Sequence, residues 1–180
     1  MQNLSHECIL PVHLLSMKGT ISVLLLGSNA ENPDTWIDKG LSLLAQHVEI
    51  EKISNYYCSP AWGFDGPDFV NVAVRMTWEK SPDELMQTLL SIEKECGRVR
   101  LGSSSGYQNR TLDMDILTYG QEVLATQWVE IPHPRLALRR FALIPLRDVH
   151  PDWIHPTLNK SVSALLDECI DKNSVILYSK

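Results

Sequence analysis

The stretch DFVNVAVRMTW, residues 68–78, alternates cleanly along its length. Successive side chains on a strand point to opposite faces, so Val70, Val72, Val74, Met76 and Trp78 share one face and Phe69, Asn71, Ala73 and Arg75 the other. Shortly after it, Ser81-Pro82-Asp83-Glu84 has the order of a helix start: a serine cap, proline at the first helical position and glutamate at the third. That helix is expected to run to about Cys96 and to stop at Gly97. Upstream, residues 20–26 (TISVLLL) form a dense apolar run closed by Gly27-Ser28-Asn29, which reads as a buried strand and turn. Asn32 as N-cap and Pro33 at the first position then open a helix with Trp36, Ile37, Gly40, Leu41 and Leu44 as its apolar stripe. Residues 48–57 read as another strand, closed by Ser59-Pro60, and residues 61–67 as a loop.

Downstream, residues 98–110 are polar, contain three consecutive serines, and are too long for a simple turn, so they are either disordered or functional. Residues 111–119 alternate as a strand; residues 134–147 carry a helix and residues 161–169 a shorter one. The order strand, helix, strand, strand, helix, strand, then more helix is the split pattern of an α+β ferredoxin-like sandwich. It predicts an antiparallel sheet with helices packed on one face, extra C-terminal helices, and one sheet face left for ligand. Fold alone assigns no chemistry.

The chain has 180 residues, 44% hydrophobic and 21% charged, with formal net charge −6. These values fit an ordinary globular protein with one sizeable core. An acidic chain is a poor general binder of nucleic acid, so no nucleic-acid partner is expected. Cys8, Cys58, Cys96 and Cys169 are scattered without a C-x-x-C pair, which predicts a cytoplasmic setting rather than a disulfide framework. No apolar run reaches the roughly 18 residues of a membrane span, and residues 1–18 lack the basic start of a secretory signal. They are expected to be a loose N-terminal extension before a single domain at residues 19–180, with Met17 as an alternative start. Nothing points to an obligatory protein partner.

The chemistry centres on Leu112-Asp113-Met114-Asp115-Ile116. On a strand, Leu112, Met114 and Ile116 face the core while Asp113 and Asp115 project together from the other face. Two carboxylates that close repel unless a cation sits beside them, and magnesium accepts one or two carboxylates together with phosphate oxygens. A solvated strand edge would show the same alternation. Arg98, Arg100 and Arg110 flank the pair in an otherwise acidic chain, and guanidinium forks match phosphate oxygens. Together these residues favour a polyphosphate site over surface ion pairing. Glu93 stands where the helix's apolar stripe would continue, and either pairs with Arg98 or reaches a ligand. Phe69 and Asn71 offer a stacking surface beside an amide, a natural platform for a flat heterocycle, or else a minor apolar cluster. Phe141, after Arg139-Arg140, is a candidate opposite wall. No Walker loop occurs, and the histidines have no zinc spacing.

Taken in order, the motifs resemble those of the 6-hydroxymethyl-7,8-dihydropterin pyrophosphokinase family. They are Leu26-Gly27-Ser28-Asn29, Tyr57-Cys58-Ser59-Pro60, Phe69-Val70-Asn71, Ile92-Glu93, Gly97-Arg98-Val99-Arg100, Arg110 through Ile116, Ile131-Pro132-His133-Pro134 and Arg139-Arg140-Phe141. The resemblance spans Ile21 to Asp167. It implies transfer of the β,γ-pyrophosphoryl group of ATP to the pterin hydroxymethyl oxygen, releasing AMP, in folate biosynthesis. It implies two Mg2+ ions on Asp113 and Asp115, and Phe69 and Phe141 sandwiching the pterin, with Asn71 on its polar edge and Ser59, Pro60, Ala61 and Trp62 along its pocket. Glu93, Arg98, Arg100, Arg110, Ile116, His133 and Arg139 match positions that hold ATP or act on its phosphates, and residues 98–110 match a mobile lid. The chain departs from the pattern at Leu90, where a glutamine often contacts nucleotide, at Gly106 and Tyr107-Gln108-Asn109 in the lid, and at Pro134. Two rival readings are a nucleotidyltransferase, which would release pyrophosphate, and a ferredoxin-like module that binds nucleotide without turnover.

Overall fold

A computed structural model describes residues 19–98 and 110–180. The expected extension, residues 1–18, and most of the expected lid, residues 99–109, lie outside the described residues. In chain order the elements are β1 (Thr20–Ser28), α1 (Pro33–Leu44), β2 (Ile50–Ile53), β3 (Tyr57–Ser59), β4 (Phe69–Trp78), α2 (Pro82–Glu95), β5 (Asp113–Tyr119), β6 (Leu124–Ala125) and β7 (Glu130–Ile131). A 3-10 turn (Leu136–Leu138), α3 (Arg140–Val149), α4 (Val162–Glu168) and β8 (Ile176–Leu177) complete them.

The main sheet is antiparallel, in the order β5-β1-β4-β3-β8, with β2 also on β4. The alternation of residues 68–78 is realised along β4. Val70, Val72, Val74, Met76 and Trp78 are buried against α1 and α2, with Leu24 and Leu26 of β1 and Leu112, Met114 and Ile116 beside them. Each fully buried leucine or isoleucine there contributes roughly 1.5–3 kcal/mol of transfer free energy. The opposite face is divided. Val23, Leu25, Ala73 and Leu117 pack under α3 and α4 with Trp153, so the C-terminal helices take part of that face. The rest of that face carries Phe69, Asn71, Asp113 and Asp115 and is bounded by β5 at the sheet edge.

Several boundaries differ from expectation. The single strand expected at residues 48–57 is two pieces, both paired with β4. Between them buried Ser54 substitutes its side chain for the ladder: its N–H donates to Ala73 O, and its Oγ accepts from Ala73 N, both at 2.9 Å. Asn32 does precede α1, but in the left-handed region at φ 52 and with no side-chain cap bond. The helix expected at residues 134–147 is a 3-10 turn and α3, separated by Arg139 in an extended conformation. α2 is built as its sequence dictates, with the full Ser81–Glu84 capping box. Its end is a Schellman closure: Gly97 at φ 82 donates to Lys94 O at 3.0 Å, and Arg98 N to Glu93 O at 3.0 Å.

Candidate active site

The Schellman turn delivers Arg98 directly over the edge of β5. Its guanidinium Nη1 donates both to Glu93 Oε1 and to Asp113 Oδ1. Glu93 is 1% exposed, and the same Oε1 accepts from the Met114 backbone N–H at 2.8 Å. Among the described residues β5 is an edge strand, and Glu93 satisfies a ladder donor that no described strand reaches. Glu93 thus makes the expected local pair with Arg98 and takes this second role, while contact with a ligand stays compatible with its place on the cavity wall.

Arg110 is fixed by its backbone. Asn29 Oδ1 accepts from Arg110 N at 2.7 Å, while Asn29 N and Ser28 Oγ donate to Arg110 O at 3.2 and 3.3 Å. The Gly27-Ser28-Asn29 turn is thus a clamp for the residue that enters β5, and the Arg110 guanidinium donates to Asp113 Oδ2. Asp113, paired across from Gly27, has both oxygens engaged by arginine.

Asp115 is in a different state. Burial, and then the charge of Asp113, push its carboxyl up to about 6. Arg139 Nη1 lies 3.8 Å and His133 Nε2 3.9 Å from its Oδ2. The His133 ring is held well below its ordinary value, at about 4, by burial first and then by Arg139 and Arg135, so it is neutral near pH 7. His133 Nδ1 accepts from Arg135 N at 3.1 Å, which leaves the ring proton on Nε2, facing Asp115. Arg139 Nη1, 3.3 Å from that nitrogen, is then a close neighbour rather than a donor to it. Among the described residues no three His, Cys, Asp or Glu side chains cluster to hold a metal, so a cation here would rely on Asp113 and Asp115 and take other ligands from elsewhere.

These groups form the middle of one cavity of about 390 Å3. At one end lie Phe69, Asn71, Ser59, Pro60, Trp62 and Phe141. Asn71 Nδ2 donates to Ser59 Oγ at 3.4 Å, and Phe64 meets Phe69 edge-on with centroids 6.2 Å apart. Trp62 lies against the guanidinium carbons of Arg139 and Arg135 at 5.1 and 5.9 Å, and Arg139 also lies 5.6 Å from the Phe141 ring. Gly27 lines the same end, and a Cβ there would stand 2.7 Å from Asn71 Oδ1.

The other group of lining side chains is apolar: Met86 and Leu90 of α2, Met114, and Trp128, which is 50% exposed. Trp128 reaches the cavity because Thr126 Oγ1 donates to Asp83 Oδ1 at 2.6 Å and accepts from Trp128 N at 3.0 Å, hooking the β6–β7 hairpin to the start of α2. Sequence reasoning missed Trp128, Met86, Arg135 and Gly27 as cavity residues. Leu90 was noted only as a departure. Conversely, Ala61 does not line the cavity, and Ile116, two residues further along the inward face of β5 than Met114, is buried in the α1–α2 core and does not reach it. Arg100 lies outside the described residues.

A family model for 7,8-dihydro-6-hydroxymethylpterin-pyrophosphokinase matches residues 23–151. A Synechocystis sp. protein named 2-amino-4-hydroxy-6-hydroxymethyldihydropteridine pyrophosphokinase is 39% identical over 69% of this chain, which spans 63% of that protein's length. Proteins of the same name from Aquifex aeolicus and Haemophilus influenzae are 36% and 33% identical, over 79% and 84% of this chain and 88% and 94% of theirs. Among solved structures, Plasmodium falciparum HPPK-DHPS A437G with STZ-DHP superposes with a TM-score of 0.68 at 14% identity, over 84% of this chain and 45% of that one. At that identity the likeness concerns the fold.

Proposed function

Since the chain belongs to the 7,8-dihydro-6-hydroxymethylpterin-pyrophosphokinase family, we propose that it transfers the β,γ-pyrophosphoryl group of ATP to the hydroxymethyl group of 6-hydroxymethyl-7,8-dihydropterin, releasing AMP, in folate biosynthesis. The observation that carries this reading is the arrangement of one cavity: an aromatic–amide end, an acid–arginine centre and a second, apolar group of walls. A flat polar heterocycle, a triphosphate and a nucleobase match those three groups of walls.

The pterin ring lies between Phe69 and Phe141, with Asn71 and Ser59 at its polar edge and Pro60 and Trp62 beside it; Ala61 acts, if at all, through its backbone. The phosphates lie across Arg98, Arg110 and Arg139, and Arg100 is assigned to ATP with them on the family resemblance alone. Neutral His133 donates from Nε2 to a phosphate oxygen. The base packs on Trp128, Met86 and Leu90, which replaces hydrogen bonding at position 90 with apolar contact. Glu93 acts through Arg98 and Met114, holding both in place.

The donor set suits Mg2+. Asp113 and Asp115 are two hard oxygen donors side by side, and Asp115 is a carboxylate whose charge is costly without a cation. When bound, two Mg2+ ions held by this pair would neutralise charge on the transferred group and on the leaving AMP. The chain's own contribution is to align the pterin oxygen with the β-phosphorus and to keep cationic donors fixed around it, so that positioning and electrostatics supply the rate. Free thiols at Cys58, Cys96 and Cys169 agree with a cytoplasmic setting, and no helix among the described residues is long and apolar enough to cross a membrane.

The test is AMP formation by the full chain with ATP and Mg2+, with and without the hydroxymethyl-dihydropterin. AMP that appears only with the pterin supports the reading. Pyrophosphate release in its place would fit a nucleotidyltransferase and refute it.

A further inference from the structure

The ring-binding end of the cavity draws its walls from distant segments: β3 carries Ser59, and the start of α3 carries Phe141. The segment after α4 touches both. Asp171 is buried, at 8% exposure. One of its carboxylate oxygens accepts from the Arg140 backbone N–H at 3.2 Å and the other from Asn173 N–H at 3.0 Å. Arg139, at the N-cap position of α3, makes no side-chain cap bond of its own. Asp171 therefore supplies from a distance the cap that the local sequence lacks, with its negative charge at the positive end of the helix.

The same segment then runs to β3. Val175 packs into the core beneath α3, and β8 pairs Ile176 with Cys58 and Leu177 with Tyr57. Tyr178 N donates to Tyr56 O at 2.8 Å. The end is fastened where Lys180 Nζ donates to both Asp38 oxygens, at 2.7 and 2.8 Å, and lies 4.0 Å from the Tyr56 ring centroid. The segment itself, residues 171–180, lies beyond the residues matched by the family model.

We propose that Asp171 is a positioning residue for pterin binding: by capping α3 it holds Phe141 at a fixed spacing from the Ser59–Asn71 edge, while β8 ties β3 to the same segment. Asp171 touches no substrate. The inference rests on the assignment of this end of the cavity to the pterin, and binding rather than turnover is the measurement that separates the two.

In the full-length chain, the dissociation constants of 6-hydroxymethyl-7,8-dihydropterin and of a nonhydrolysable ATP analogue are to be measured with the thermal midpoint. Asp171→Ala is expected to weaken pterin binding about tenfold, as for loss of one charge-assisted hydrogen bond, with a clearly smaller loss of nucleotide binding, because the capped turn also carries Arg139 while Arg98 and Arg110 are held elsewhere. Asp171→Asn, which keeps one acceptor oxygen, is expected to fall between. A lowered midpoint with pterin binding unchanged would show a purely structural role and overturn the proposal, as would equal weakening of both ligands. If Asp171→Ala does not fold, Asp171→Asn decides, and unchanged pterin affinity overturns the proposal. A wild-type chain that binds nucleotide but no pterin overturns the assignment of the cavity end and this inference with it.

Discussion

Asp115 is held in a place where its own charge is costly. Burial and the Asp113 carboxylate raise it from 3.8 to about 6, so its contribution to stability is present below pH 3.8 and is lost as pH rises through about 6. In metal-free protein Asp115→Asn should therefore raise the thermal midpoint by a few degrees at about pH 7.5, with the gain shrinking below about pH 6. The same variant should lose on the order of 100-fold or more of AMP formation while still binding pterin. A site that gives up stability for function behaves in this way; a variant that gains no stability at neutral pH would count against the electrostatic account. Gly27 makes a second residue-scale case. Its missing Cβ leaves room for Asn71 Oδ1, which would otherwise be 2.7 Å away, so Gly27→Ala should displace the amide and raise the pterin KM about tenfold, leaving the ATP KM nearly unchanged. Steady-state kinetics in each substrate checks the split. The two aspartates were legible in the sequence because strand alternation puts them on one face. Gly27 was not, since its neighbour Asn71 comes from the paired strand β4.

At the scale of elements, α2 organises the centre of the site from both of its ends. Its start carries the capping box and the Asp83–Thr126 hook; its end turns Arg98 onto Asp113 and leaves Glu93 buried against β5. Glu93→Gln can keep the Met114 bond through its amide oxygen but loses the ion pair with Arg98. It should cost about 1–3 kcal/mol of unfolding free energy and weaken ATP binding, by denaturant titration and nucleotide affinity respectively. Ser81→Ala removes only the cap and should cost about 1 kcal/mol, with both substrate KM values preserved. The capping box, the β4 alternation and the Gly97 stop were readable because each is a local rule. The Ser54 interruption between β2 and β3 was not, because its partner Ala73 lies on β4. Trp128 was also hidden: nothing in its neighbours announces that a two-residue strand pair will be hooked onto α2.

Across the whole molecule, opposing titrations set the pH response. His133 is lowered to about 4, and burial also lowers His150 and His155. Groups depressed in the folded state contribute stability above their unfolded value of 6.5, and that contribution is lost as pH falls through their folded values. Asp115 works in the opposite direction over part of the same range. The urea midpoint of the wild-type chain should therefore fall on acidification from about pH 7.5 to 5, and that of Asp115→Asn should fall more steeply. At this scale the ferredoxin-like order was evident from the succession of elements, whereas the strap from Asp171 to Lys180 was not. Its contacts to Arg140, Tyr57 and Asp38 bridge long sequence separations, and no local pattern encodes them.

At all three scales the structure fits an acid–arginine centre that moves two phosphates as one unit from nucleotide to pterin. Following a label on the β-phosphorus of ATP, with Mg2+ and 6-hydroxymethyl-7,8-dihydropterin present, tests it most directly. The account predicts label in a pterin diphosphate and unlabelled AMP; label recovered in ADP, or in free pyrophosphate with no pterin product, would contradict it.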